Sequence, residues 1–283
     1  MKQLAALISL PPTGLVLLSI GSTQLGSAFA KSLFPYLSPA GMVTMRVGFA
    51  ALVLMALWRP RWRSDLRTHL PMLIGFGLSL SLMNFAFYCA IERIPIGVGV
   101  ALEFIGPLGL AMVNSRRWLD GLWALLAAIG VLLLTPLGGF TLDGLGVMLA
   151  LTAGGFWALY ILMSARTGQA LAGGEGLAWA MVIGTCVLLP IGIATDGLTL
   201  LDPRLMLAGF VVAILSSVLT YSLELSALRV MPVQVFGVLL SLEPGVAAMI
   251  GWVGLGEVLA VRAMIAIALV CIAAGGAARF RPA

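Results

Sequence analysis

Charge is scarce in this chain of 283 residues. Only 10% of its residues are Asp, Glu, Lys or Arg, whereas a soluble domain contains about 25%. Hydrophobic residues make up 61%, and the mean hydropathy is +1.12. This composition excludes an ordinary soluble globule. The net charge of +5 does not indicate nucleic-acid binding, because the basic residues lie in short segments between apolar runs and form no patch with interleaved aromatics.

Residues that carry enzymatic chemistry are also scarce. The one histidine, His69, lies next to a basic segment, and the three cysteines lie inside apolar runs without metal-ligand spacing. The sequence contains no Gly-x-Ser-x-Gly elbow, no Walker loop and no pair of Asp-rich motifs that would hold magnesium. We therefore expect no metal, no cofactor and no enzymatic activity. A membrane-embedded enzyme or a structural anchor remains a minor alternative, which conversion rather than movement of a metabolite would favour.

Long apolar runs dominate what is present, and a run of about 20 residues is long enough to cross a bilayer as a helix. Ala28-Phe29-Ala30 resembles a signal-peptide cleavage site, but Pro11-Pro12 interrupts the preceding run and the remainder is long enough to span. We keep it as the first membrane helix. The sequence thus predicts ten spans, at residues 13–30, 39–58, 70–91, 96–114, 119–136, 144–164, 177–195, 205–228, 233–253 and 259–278.

Basic residues are distributed unequally between the two sides that ten spans define. Eleven of the sixteen Lys and Arg residues fall in segments on the side of the termini, four fall on the other side, and Arg46 falls inside a span. Cytoplasmic segments of membrane proteins are enriched in Lys and Arg. The sequence therefore predicts a multi-pass protein of the bacterial inner membrane with both termini in the cytoplasm.

An internal repeat divides the chain into two halves. Pro95 and Pro107 recur as Pro232 and Pro244, a separation of 137 residues. The repeats cover residues 13–137 and 143–278, with five spans each, and an odd number inverts the second repeat in the membrane. We therefore predict an all-α membrane protein of ten helices in two inverted five-helix repeats, an arrangement typical of secondary transporters.

Four charged side chains are predicted to lie near the membrane centre, where each costs about 2.5–3.5 kcal/mol. Glu103 and Glu243 are candidates for a carboxylate that exchanges a proton or binds substrate, or for acids that only hold helices together. Arg46 either pairs with one of these acids or binds a substrate carboxylate bidentately. Glu224 either lines the mouth of a cavity together with Tyr221 or pairs with Arg229. Lys31, at the end of the first span, is expected to extend to the interface.

Other polar and aromatic side chains are weaker candidates for the lining of a cavity. Asn84 needs hydrogen-bond partners in the middle of a span. Tyr88, Trp157 and Tyr160 either line the cavity or only pack, as most membrane aromatics do. The helices are expected to bend at Pro107 and Pro244, because a proline inside a helix frees backbone carbonyls.

Several blocks resemble the bacterial threonine/homoserine exporters of the drug/metabolite transporter superfamily, which carry two EamA domains. The resemblance extends from about residue 15 to 278 and rests on Ala30–Pro35, Met83-Asn84 with Phe87-Tyr88, Val100–Phe104 with Gly106–Leu108, Ser115–Arg117, Thr135–Gly138, Ala213–Ser216, Tyr221–Glu224 and Glu243-Pro244. One departure is Thr220, where the family usually has a proline. It leaves open the bend of the eighth helix and the substrate range.

The resemblance implies an inner-membrane exporter of threonine, homoserine and related amino acids, driven by the proton gradient. Its partners would be the amino acid, protons and the lipid bilayer, with no nucleic acid. The alternative function on the same fold is a broad exporter of cationic drugs, quaternary amines or nucleobases. Oligomeric state, stoichiometry and the identity of the titrating acid do not follow from the sequence.

Overall fold

The computed structural model describes residues 11–60, 66–113, 118–134, 143–171, 173–228, 230–231, 236 and 239–279. The α-helices in these ranges are α1 Pro12–Ser32, α2 Pro39–Trp58, α3 Leu66–Arg93, α4 Ile96–Glu103, α5 Ile105–Val113, α6 Trp118–Leu134, α7 Gly144–Ala170, α8 Glu175–Asp196, α9 Pro203–Ala213, α10 Thr220–Leu228, α11 Glu243–Leu255 and α12 Val261–Arg279. A short 3₁₀ helix, Gly197–Leu201, follows α8, and a π-helix, Ile214–Leu219, joins α9 to α10.

Six helical segments within the described ranges are long and apolar enough to cross a membrane. Shorter apolar helices accompany them at Ile96–Leu110, Gly121–Gly130 and Val261–Gly276. The long segments are Pro12–Ser32, Pro39–Trp58, Thr68–Arg93, Gly144–Ala170, Glu175–Leu201 and Pro203–Glu224. The chain is therefore a multi-pass membrane protein.

Polar side chains lie inside the helix bundle and large apolar side chains lie outside. Gln24, Arg46 and Asn84 are each less than 5% exposed, whereas Leu52, Trp252 and Val253 are about two-thirds exposed or more. Buried polar and charged side chains together with many large apolar side chains on the surface are unusual in a soluble protein. This distribution is favourable in a bilayer, because lipid tails solvate the apolar surface and charged groups turn to the interior.

Local sequence explains where several helices begin. The hydroxyl of Ser38 accepts a hydrogen bond from the backbone N–H of Gly41, and Pro39 occupies the first turn of α2. Asp202 and Pro203 start α9 in the same way. Side-chain oxygens at the N-cap satisfy N–H groups that have no partner within the helix, and proline has no N–H to lose there.

Asp143 caps α7 by accepting hydrogen bonds from the N–H groups of Leu145 and Gly146. It also accepts a hydrogen bond from Arg93 at 3.0 Å. The Arg93 hydrogen bond, with those of the backbone, holds the pKa of Asp143 below its usual value. The carboxylate therefore stays charged at neutral pH and keeps the end of α3 next to the start of α7.

Helix continuity is interrupted at two places. Phe104 separates α4 from α5, three residues before Pro107, and the N–H that Pro107 lacks is the one that would bond to the Glu103 carbonyl. The second interruption is the π-helix, just before Thr220. Pro244 lies in the first turn of α11 rather than in the middle of a helix.

Each of the ten predicted spans contains helix that the structure describes. The fourth span comprises α4 and α5, and the eighth comprises α9, the π-helix and α10. Some residues of the predicted spans lie outside the described residues: 114 of the fourth span, 135–136 of the fifth, and 233–235 and 237–238 of the ninth. Arg116, Arg117 and Arg229 also lie outside. The described helices alone do not establish ten crossings or an inverted repeat.

Candidate functional site

Arg46 lies at the centre of the candidate site, on α2, and is 4% exposed. Its guanidinium donates hydrogen bonds to the Tyr88 hydroxyl at 3.2 Å, the Ser217 hydroxyl at 3.0 Å and the Ser216 carbonyl at 2.8 Å. The Tyr88 ring centroid lies 5.3 Å from the guanidinium carbon, which adds a cation–π contact. Among the described residues, Arg46 forms no ion pair with Glu103 or Glu243. Of the two alternatives for Arg46, the salt bridge to Glu103 or Glu243 is absent among the described residues, and neutral acceptors hold the guanidinium.

The π-helix supplies two of those three acceptors, Ser216 and Ser217. A π-turn takes backbone carbonyls out of the regular i→i−4 pattern, and such turns are frequent at functional sites. The Leu215 carbonyl accepts hydrogen bonds from the hydroxyls of Ser22 and Thr220, at 2.7 and 2.9 Å. Thr220 thus keeps an irregular helix at the position where the family usually has a proline, and its hydroxyl also lies 2.6 Å from that of Thr23.

Glu103 is the last residue of α4 and is 8% exposed. Its carboxyl group makes no hydrogen bond to any residue in the described ranges, although it lies within electrostatic range of Arg46 and Glu243. A buried carboxyl group without a partner is costly. Glu103 is therefore a candidate for direct contact with a ligand or a proton.

Two further acids face α1 and receive hydrogen bonds from it. Glu243 accepts a hydrogen bond from the Gln24 amide at 2.9 Å, and Glu224 accepts one from the Ser19 hydroxyl at 2.9 Å. Glu243 also lies within electrostatic range of Glu224. The alternative partner predicted for Glu224, Arg229, lies outside the described residues.

Tyr160 and Tyr221 connect the centre to a small cavity. Their rings lie 6.2 Å apart, and Tyr221 is within electrostatic range of Arg46, Glu103 and Glu224. The cavity has a volume of about 170 Å³ and is lined by Tyr160, Tyr221 and Glu224 on one side and by the connection at Gly173 and Gly174 on the other.

Asn84 and Trp157 differ in their distance from this centre. The Asn84 amide donates to the Leu80 carbonyl one turn back on α3, at 2.8 Å, and Asn84 neighbours Tyr221. Trp157 packs edge-on against Phe104 with ring centroids 5.3 Å apart, and lies in the apolar core behind Glu103. The structure thus brings together Arg46, Asn84, Tyr88, Glu103, Tyr160, Tyr221, Glu224 and Glu243, with Trp157 behind them.

A second polar cluster lies at the opposite end of α1. The Lys31 ammonium contacts Glu257 at 2.5 Å and donates to the Ile94 carbonyl at 2.8 Å. Glu257 also accepts the N–H of Ile96, the first residue of α4, at 3.0 Å. Lys31 therefore does not simply extend to the interface as expected. It joins the end of α1 to the start of α4 and to the segment after α11, and we call this set of contacts the Lys31–Glu257 clamp.

Sequence reasoning missed the polar face of α1. Ser19, Ser22, Thr23 and Gln24 contact the π-helix and the acids of the second half, across more than 190 residues of sequence. Ser22 and Thr23 lie three and four residues after Ser19, which was a usable signal because positions three and four apart share a helix face. Ser216 and Ser217 were also missed as partners of Arg46.

A membrane-embedded helix bundle with a cation and three acids in its interior is typical of one class of protein, the multi-pass membrane transporters. The comparison with known families agrees with this class. The family model described as EamA-like transporter family matches residues 144–278. Together with the relatives below, this match shows that the chain belongs to the EamA-like transporter family.

Curated relatives match most of the chain. It is 41% identical over 251 residues to "Threonine/homoserine exporter RhtA" of Salmonella typhimurium strain SL1344, covering 88% of this chain and 84% of that protein. It is 40% identical over 268 residues to the protein of the same name from Escherichia coli strain K12, covering 94% and 90%.

A solved structure shares the fold at low sequence identity. It superposes with a TM-score of 0.64 at 17% identity and covers 94% of this chain and 98% of its own. At this identity, the similarity concerns the fold alone.

Proposed function

We propose that this protein exports threonine, homoserine and related small amino acids across the bacterial inner membrane, in exchange for protons. The relatives named as threonine/homoserine exporters support the substrate class. Membership of a transporter family supports movement rather than chemical conversion.

One observation carries the proposal. Arg46 and Glu103 are both buried, lie within electrostatic range of each other and are not paired with each other. An amino acid is a zwitterion with one carboxylate and one ammonium. Its carboxylate fits the planar fork of Arg46, and its ammonium fits an acid, so that each end of the ligand would compensate a buried group.

Contacts between helices support ten crossings in two inverted repeats, 13–137 and 143–278. If span n corresponds to span n+5, each main packing contact has a counterpart. α3 packs on α7 as α1 packs on α10, α3 packs on α8 as α2 packs on α9, and α4 and α5 pack on α7 as α11 packs on α1. Three further contacts join a helix to its own counterpart in the other repeat: α2 with α8, α4 with α11 and α6 with α12.

The unequal distribution of basic residues supports cytoplasmic termini. In that orientation the cavity beside Gly173 and Gly174 opens toward the cytoplasm, and the Lys31–Glu257 clamp closes the outer side. This arrangement corresponds to a carrier that faces inward.

In the transport cycle, an amino acid enters past Tyr160 and Glu224. Its carboxylate binds Arg46 and its ammonium binds Glu103 or Glu243. Release of the clamp opens the outer side, where a proton neutralises the acid and weakens the ammonium contact. The amino acid then leaves, and the protonated carrier returns and releases the proton inside.

The test uses proteoliposomes of known orientation, loaded with labelled threonine or homoserine, with and without a pH gradient. We expect wild-type efflux to accelerate when protons flow in the opposite direction. Glu103→Gln or Glu243→Gln should abolish that acceleration, because an amide cannot take up the proton. Efflux and pH dependence that survive in both variants would reject the coupling.

The same vesicles distinguish the alternative function. The aromatic cavity of Phe76, Tyr160 and Tyr221 with Glu224 at its wall has the composition that organic cations prefer. Efflux of a cationic dye without efflux of either amino acid would favour a broad drug or metabolite exporter.

A further inference from the structure

Gln24 is one of the most deeply buried polar side chains of α1, with 1% of its surface exposed. Its amide nitrogen donates to Glu243 at 2.9 Å. Its amide oxygen, Oε1, is buried and has no hydrogen-bond partner within the part of the chain that the structure describes. The amide is therefore satisfied at one end only.

The hydrogen bond to Glu243 fixes which end is left over. In the deprotonated state, the Glu243 carboxylate only accepts hydrogen bonds, so in that state the NH₂ group of Gln24 faces Glu243 and the oxygen faces away. Buried acceptors without a donor are uncommon and destabilising. The contact with Glu243 alone would not require a residue with a second polar atom at this position.

Acceptors without donors extend beyond Gln24. Glu243 lies within electrostatic range of Glu103 and Glu224, and the Glu103 carboxyl group makes no hydrogen bond to the described residues. Arg46, the buried cation of this region, directs its bonds to Tyr88 and the π-helix. None of these contacts supplies a donor to Gln24 Oε1.

A primary ammonium group is the ligand chemistry that fits this deficit, because it brings one positive charge and three N–H donors. We propose that Gln24 Oε1 accepts a hydrogen bond from the ammonium of the substrate and, with the Glu103 carboxylate, forms a subsite for primary amines. Gln24 then selects for N–H donors, whereas the acids select for charge. This subsite specifies the proposed amino-acid export and rests on it.

The test compares ligands of equal charge with and without N–H donors. Binding to the full-length protein in nanodiscs is measured by calorimetry for homoserine and for its N,N,N-trimethyl analogue. We expect wild type to bind homoserine about 10- to 100-fold more tightly, because a hydrogen bond to a charged group has about that effect.

Two substitutions separate the hydrogen bond from size and packing. Gln24→Met keeps the length of the side chain and removes the acceptor, so homoserine binding should weaken by about tenfold or more while the trimethyl analogue is unaffected. Gln24→Glu keeps an acceptor and should keep the discrimination. Gln169→Met, at an exposed position on α7, is the matched control and should change neither.

Ethanolamine and choline repeat the same contrast without a carboxylate. If wild type binds ethanolamine more tightly than choline but does not bind homoserine, the amino-acid function is rejected and the amine subsite is retained. Equal binding within both ligand pairs by wild type, or unchanged discrimination in Gln24→Met, would overturn the subsite. Equal binding by wild type would overturn the subsite even where a variant fails to fold.

Discussion

At the residue scale, Arg46 shows how the interior keeps a charge without neutralising it. Its guanidinium is held by two hydroxyls and one carbonyl, each a neutral acceptor. Such acceptors orient the group and reduce the cost of burial, but they leave its full positive charge to interact with an anion. A permanent salt bridge would compete with a substrate carboxylate for the same fork.

Arg46→Lys tests this role of the fork. Lysine keeps the charge but cannot bind a carboxylate with two parallel hydrogen bonds, and it loses part of the contact with Tyr88 and the π-helix. We expect the KM for homoserine efflux to rise by about 10- to 100-fold, with the protein still folded. Arg93→Lys, in the exposed pair with Asp143, is the control. Equal KM values in the two variants would contradict substrate binding by Arg46.

How far the sequence predicts the site depends on how unusual each residue is. Arg46, Glu103, Glu224 and Glu243 were found because a charge inside an apolar run is rare and costly. Gln24, Ser19 and Ser217 were missed because uncharged polar residues are common in membrane helices and satisfy themselves in many ways. Their roles depend on contacts with partners that lie more than 170 residues away, and periodicity within one helix contains no such information.

At the element scale, most predicted spans begin within two residues of a described helix. Proline and N-cap residues mark several of these starts, and their effects are local. The π-helix was not predicted, because it depends on tertiary partners. Its carbonyls bond to Ser22 of α1 and Arg46 of α2, which are remote in sequence. Thr220 shows the limit of a motif, since the helix is irregular here without the proline of the family.

Close contact between α5, α7 and the end of α4 holds Glu103 in place. A Cβ on Gly154 of α7 would lie 2.5 Å from the Glu103 carbonyl oxygen and 3.2 Å from the Gly106 nitrogen. These are backbone atoms that cannot rotate away. Small residues allow such approaches between membrane helices, and this one connects helix packing directly to the acid.

Gly154→Ala should therefore impair stability and transport together. The added methyl group must push α4 away, which costs about 1–3 kcal/mol and displaces Glu103. The neighbouring Gly155→Ala has open space around its Cβ and should stabilise by up to about 1 kcal/mol through helix propensity. Thermal unfolding in detergent and homoserine efflux measure both effects. A Gly154→Ala variant as stable and active as Gly155→Ala would contradict the contact.

At the scale of the whole molecule, the two ends of the bundle differ. A cavity beside Gly173 and Gly174 reaches Tyr160 and Glu224 at one end, and the Lys31–Glu257 clamp joins α1, α4 and the segment after α11 at the other. In the proposed transport cycle, each end controls access to the same buried centre. In a carrier with inverted repeats, closing one side while opening the other is the expected movement.

Glu257→Gln should shift this carrier toward its outward-open state. Because the clamp side chains are only 19% and 13% exposed, loss of the ion pair should change the balance by about 1–2 kcal/mol, or about 5- to 30-fold in population. Ser27→Cys, one turn below Lys31, reports the change through its reaction with a membrane-impermeant thiol reagent, with Cys89, Cys186 and Cys271 replaced by alanine. We expect faster labelling from outside in the clamp variant, whereas Arg93→Gln, which breaks the exposed pair at that end, should label at the original rate.

Labelling only from the cytoplasmic side would reverse the proposed orientation, and an unchanged rate would mean that Lys31 and Glu257 do not close the outer side.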